Sequence, residues 1–237
     1  MSARAASGAL AAALLAAPAT LAYIPSVGSL MRKAAARVNE GSRTREVTFN
    51  GTLEVGRGAA ESRALSVRFP LSCRFENGAA VRGTSAQPVG TASGAAGAER
   101  DLLELACPLI AYRGLSLPEA EKALRATAEA AGADLTAATA LARLADRVVV
   151  VMGAPARQLD RPQLWLYKDT NAPARLIARR DGHLQDLRLL EYGNPASADW
   201  FPRILELYQD GALAARFEVL ETKGFRETSE EEDDDRE

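Results

Sequence analysis

The sequence predicts an α+β fold in which a strongly curved antiparallel β-sheet carries helices on an apolar inner face. Three observations predict it. Asp181-Gly182 and Asp210-Gly211 each sit between runs of strand-forming residues, the strongest short-range hairpin signal available. Arg147–Met152 holds four consecutive valines, a β-branched run suited to a buried strand. Two earlier stretches have the apolar spacing or the capping residues of amphipathic helices.

Taken in order, Arg4 and the Ala/Leu stretch Gly8 to Leu21, followed by Thr20-Leu21-Ala22, read as a secretory signal cut after Ala22. Tyr23 stands where a lipid-modified protein would need Cys, so the product is expected to be unanchored. The organisation is then a signal peptide (1–22), one domain (23–225) and a disordered acidic tail (226–237) with eight acids and two bases. Leu30, Ala34 and Val38 recur at spacings of four, which makes Ser29 to Asn39 a short amphipathic helix. From Glu46 the period changes. Val47, Phe49, Leu53 and Val55, then Ala64 to Phe75, predict two antiparallel strands. Asn77 to Gly97, rich in Gly, Ala, Ser and Thr, reads as a long mobile loop. Ser116-Leu117-Pro118-Glu119 has the capping-box form with Pro in the first turn, predicting a helix from Leu117 to about Ala131. Gly132 stops it, and Asp134 or Thr136 can cap a second short helix through Leu141 and Leu144.

Gln163 to Thr222 reads as a β-meander. A two-residue turn at Asp181-Gly182 pairs Arg180 with His183, so Leu176, Ala178, Leu187 and Leu189 share one face. Arg175, Arg179, Asp186 and Arg188 form the opposite, solvent side, with Ile177 and Leu184 as exceptions. The same operation at Asp210-Gly211 puts Ile204, Tyr208, Leu213, Ala215, Phe217 and Val219 together, with Glu206 as the only charge. The inner face is therefore assigned to Leu176, Leu187, Leu189, Ile204, Leu213, Phe217 and Val219. Such a face either is simply core or holds an apolar ligand.

Composition narrows the function. The chain has 237 residues, 47% of them hydrophobic, enough for a substantial core, although only six Phe, five Tyr and two Trp are aromatic. Lys and Arg (29) nearly balance Asp and Glu (31), which removes the electrostatic footprint of a nucleic-acid binder. One His and two Cys are too few for a structural zinc site, so no metal or other cofactor is expected. No G-x-S-x-G occurs, His183 lies beside a hairpin turn, and the Gly-rich stretches lack phosphate-loop spacing. The expectation is a protein without enzymatic activity. After export, Cys73 and Cys107 should pair; two buried free thiols are the alternative.

The order of elements, the Arg68-Phe69-Pro70 region, Pro162 to Asp169 with Pro173, and Trp200-Phe201-Pro202-Arg203 leading into the Asp210-Gly211 hairpin resemble the LolA-like outer-membrane lipoprotein carrier family. The resemblance is clearest from Arg147 to Lys223. It implies an unclosed β-barrel capped by helices that shields the acyl chains of lipoproteins or lipids crossing the periplasm, with Leu176, Leu187, Leu189, Ile204, Leu213, Phe217 and Val219 as the groove. It also implies an early-strand arginine that latches the helical lid. Arg68 matches that position best, and Arg74 is the other candidate. The implied partners are acylated lipoprotein or lipid cargo, donor and acceptor envelope proteins, and transient contact with membrane complexes, for a monomeric protein. A sensor or regulator of the same fold that binds a protein partner, or an envelope assembly protein, is the other reading.

Overall fold

Helix α1 (Val27–Asn39) is followed by strands β1 (Thr44–Val55), β2 (Glu61–Arg68) and β3 (Ser72–Asn77). Two helices come next, α2 (Ser93–Ala111) and α3 (Leu117–Ala130), joined by the 3-10 turn Tyr112–Gly114. Seven strands complete the chain: β4 (Ala140–Leu144), β5 (Arg147–Met152), β6 (Gln163–Tyr167), β7 (Pro173–Arg180), β8 (His183–Leu190), β9 (Ile204–Gln209) and β10 (Ala212–Arg226). This computed structural model describes residues 25–39, 44–68, 72–77, 93–193 and 201–226. The expected signal peptide with its cut after Ala22, the stretch 78–92, Phe69, Pro70, Trp200 and the acidic residues from 227 onward lie outside the described residues. Arg226, expected in the tail, is instead the last residue of β10 and pairs with Thr44.

The strands form one sheet in the order β3-β2-β1-β10-β9-β8-β7-β6-β5-β4. All neighbours are antiparallel, and the sheet does not close: β3 and β4 are its two edges. Both Asp-Gly turns have positive φ at each residue, 50° and 84° at Asp181-Gly182 and 49° and 84° at Asp210-Gly211, as a tight twisted hairpin requires. Arg180 pairs with His183 as the turn geometry demands. One continuous inner row runs from Ala215 through Leu207, Leu187, Leu176 and Leu164 to Met152, each hydrogen-bonded strand contributing one buried apolar side chain. Leu102, Leu109 and Ile110 of α2 and Leu124 of α3 join the same core, so the helices cover this face.

Further expectations need correction. Ala64 to Phe75, expected as a single strand, are divided between β2 and β3, which pair antiparallel with each other, Leu65 opposite Phe75. Ser93 to Gly97, read as loop, are the first turns of α2; their Gly/Ala composition gave no helical signal until the charged and leucine-rich turns that follow. Leu141 and Leu144 are not helical but lie in β4, because Ala140 to Leu144 pair residue for residue with Val151 to Arg147. Asp134 does act on Thr136, accepting its N–H at 3.0 Å, but this closes a turn and caps no helix. A β-bulge sits at Ala214. Leu213 opposes Tyr208 and Ala215 opposes Leu207, so one extra residue reverses the alternation. Ile204, Glu206 and Tyr208 therefore share the outer face with Arg216, and Ile204 and Leu213 are not inner-face residues; Leu213 is only half-buried.

Finally, the outer face of β7 and β8 is not simply solvated. Arg175 and Asp186 are buried and joined by two hydrogen bonds of 2.6 and 2.7 Å, with the Arg175 guanidinium 4.6 Å from the Trp165 ring. The register explains it. Trp165, Arg175, Arg188, Glu206 and Arg216 form a single row across five strands, in which each charge finds an opposite charge or an aromatic face beside it.

Candidate functional site

Ala123, Ala126, Thr127 and Ala130 recur on one face of α3, while Ala120, Leu124 and Ala128 occupy the buried face. Because the first group is short, α3 does not fill the space between itself, the C-terminal half of α2 and β7. An apolar groove of about 500 Å³ remains. Leu105 and Pro108 of α2 form one wall, and Leu176 and Ala178 of β7 form the floor. The Thr127 hydroxyl donates within its own helix to the Ala123 carbonyl at 2.8 Å. Charge appears only where Arg180 meets Glu104, 2.8 Å apart, with both side chains well exposed.

Of the seven residues assigned to the inner face, Leu176 alone lines this groove. Leu187, Leu189 and Phe217 have no exposed surface and belong to the packed core, as does Val219. Ile204 and Leu213 are on the other side of the sheet or at its bulge. What the hairpin register could not reveal is that the open space is made by alanines on a helix: the signal was present in the spacing of Ala123, Ala126 and Ala130, but small residues predict a cavity only when their neighbours are known.

The helical cover is fastened chiefly through α2. Cys73 of β3 and Cys107 of α2 form a disulfide with Cα atoms 5.7 Å apart, as expected from the cysteine count. From the sheet, Gln185 of β8 donates to Asp101 of α2 at 3.2 Å, and Arg180 of β7 to Glu104 at 2.8 Å. Arg68 does not serve here. It lies on the outer face, 61% exposed, paired with Glu46 of β1 at 3.2 Å. The early-strand arginine that approaches a helix is Arg63, on the same face as Leu65 and Val67 and 4.0 Å from Glu99 of α2. A charge in the apolar alternation of β2 was the available clue. α3, by contrast, is tied to α1 through Arg32 and Glu121 at 3.4 Å.

A buried cation marks the joint between α2 and α3. Arg113, in the 3-10 turn, stacks 4.4 Å from the Phe201 ring and 5.8 Å from that of Tyr192, an arrangement that stabilises a charge away from water. Phe201 in turn packs edge-on against Phe49 of β1. Burial raises the Tyr112 and Tyr192 phenols, and the neighbouring Arg113 guanidinium opposes that rise. Burial likewise pushes Tyr167 up to about 12; its hydroxyl donates to the Leu189 carbonyl at 3.1 Å. His183 is exposed as expected, with its Nδ1 2.6 Å from Asp210, whose carboxyl is held below its ordinary value by that bond and by the Leu184 N–H. This pair joins two hairpin tips. Among the described residues no three His, Cys, Asp or Glu side chains are grouped to hold a metal ion, and no helix is long and apolar enough to cross a membrane.

No protein-family profile matches the chain, and no curated protein matches it. Several solved structures are similar to it, and two of them illustrate the likeness. One is a domain assigned to outer-membrane lipoprotein sorting, from Vibrio parahaemolyticus, at 12% identity and a TM-score of 0.47 over 86% of this chain and 94% of that one. The other is a LolA-superfamily protein from Nitrosomonas europaea, at 10% identity and a TM-score of 0.40 over 84% of this chain and 94% of that one.

Proposed function

We propose that this protein is a periplasmic carrier that shields an acyl chain of a lipoprotein or lipid during its transfer towards the outer membrane. The observation that carries the reading is the groove between α2, α3 and β7, whose walls are apolar and whose charges stand apart from the alanine and leucine lining. Burying each methylene is worth about 0.8 kcal/mol, so a long chain binds there without polar contacts. A disulfide between β3 and α2 fits an oxidising compartment, and the resemblance of Pro162 to Asp169 and of the Phe201-Pro202-Arg203 region points to the same class. Release then requires a partner that binds the cargo more tightly or favours a state in which α3 has moved, because a ligand shifts an equilibrium only by its differential affinity.

The test is titration with a fluorescent sixteen-carbon acyl probe. Wild-type protein should bind it saturably, and Ala126→Trp, which places an indole in the groove from the helix side, should abolish binding while leaving the melting temperature within a few degrees. A wild-type protein that ignores the probe overturns the carrier reading.

A further inference from the structure

The charges around the groove narrow the class of cargo, an inference that rests on the carrier reading. At about 30 Å³ per buried heavy atom, the share of one water in the liquid, a 500 Å³ groove accepts on the order of sixteen heavy atoms, one acyl chain rather than several. Its walls present alanine, leucine and proline side chains, so a polar head must remain with the charged pair, Arg180 and Glu104. Glu104 is shared there between two cations. Arg180 Nη1 lies 2.8 Å from its Oε2, and Arg100 Nε lies 3.7 Å from its Oε1. Asp101, one turn earlier on α2, is engaged by Gln185 at 3.2 Å. Two guanidiniums thus compete for one carboxylate at the groove, and exposed ion pairs of this kind hold weakly.

We propose that the groove binds single-chain amphiphiles with an anionic head, a carboxylate or a phosphate, whose head takes the place of Glu104 on Arg180. The planar guanidinium suits either head, since both offer two oxygens to its paired N–H groups. The chain then runs between Leu176 and Ala178 on one side and Ala123, Ala126 and Ala130 on the other.

The experiment displaces the fluorescent acyl probe from the full chain with twelve-carbon compounds kept below their micellar concentrations. Dodecanoate and dodecyl phosphate represent the two anionic sources, dodecyl maltoside is neutral, and dodecyltrimethylammonium is cationic. The expected result is at least tenfold tighter binding of one or both anions than of the maltoside, and the tighter of the two anions identifies the source. Arg180→Ala should weaken that anion at least tenfold. Glu104→Gln, which releases Arg180 from its internal partner, should tighten it, and a merely structural role for the pair would not produce these opposite shifts. Equal or tighter binding of the neutral or cationic compound, or variants that move the anion in the same direction, overturns the proposal while the probe still supports the carrier reading. Failure of the probe itself removes both.

Discussion

Arg175 and Asp186 show how strongly a single pair can matter when water is excluded. Their side chains are only 8% and 12% exposed, with Trp165 beside the guanidinium. Removing one member strands the other, which costs about 3–5 kcal/mol, whereas replacing both with apolar groups of similar size is near neutral. Asp186→Ala should therefore lower the unfolding free energy by about 3 kcal/mol in a urea titration, and Arg175→Leu combined with Asp186→Leu should recover most of it. A second prediction concerns pH. Burial holds the Tyr167 phenol neutral, up to about 12 against an ordinary 10.0, and moves Tyr192 the same way. A raised acid stabilises the fold fully below its unfolded value and loses that contribution as pH rises through the folded one. Between pH 10 and 12 stability should fall, by at most about 1.4 kcal/mol per pH unit for each phenol. Urea midpoints at pH 8, 10 and 11 check this, and phenolate absorbance should lag behind that of free tyrosine.

At the scale of elements, α2 carries most of what links cover and sheet, and the disulfide is its covalent attachment. The bridge spans 34 residues of sequence, a loop for which chain entropy gives about 3–4 kcal/mol. Reduction, or Cys73→Ala with Cys107→Ala, should lower stability by that amount and increase amide exchange in α2 more than in β7 or β8. Equal exchange in all three would show that the bridge does not hold the helix. The sequence made some of these elements legible and concealed others for identifiable reasons. The capping box at Ser116 and the two Asp-Gly turns are local chemistry, and the structure retains them, with Glu119 accepting from the Ser116 N–H at 3.2 Å. β4 is not legible locally, because Leu141 and Leu144 have a spacing that both a helix and a short strand tolerate, and its partner, β5, decides the matter. The bulge at Ala214 leaves no mark in the residue types around it, so strict alternation assigns Ile204 and Leu213 to the face opposite the one they occupy. The groove was hidden for a related reason. It consists of volume left empty by Ala123, Ala126 and Ala130, and only the position of β7 turns three small side chains into a site.

Across the whole molecule, the strand order places the first strand in sequence against the last. β1 pairs with β10, and Asn50 of β1 donates to Glu221 of β10 across 171 residues of chain. The other pairings link strands that are consecutive in sequence, β1 to β3 on one side and β4 to β10 on the other. The β1–β10 pairing is the seam between these two pieces. Loop closure over such a distance is slow relative to local pairing. Two half-sheets should therefore assemble first, and a chain ending before Ala212 should show no single cooperative unfolding transition by circular dichroism. Until these two strands meet, β1 and β10 both present long rows of unpaired N–H and C=O groups, which another chain satisfies as readily as the native partner does. The yield of refolded protein should accordingly fall as its concentration rises, with intermolecular strand pairing competing against the last fifteen residues of the sheet.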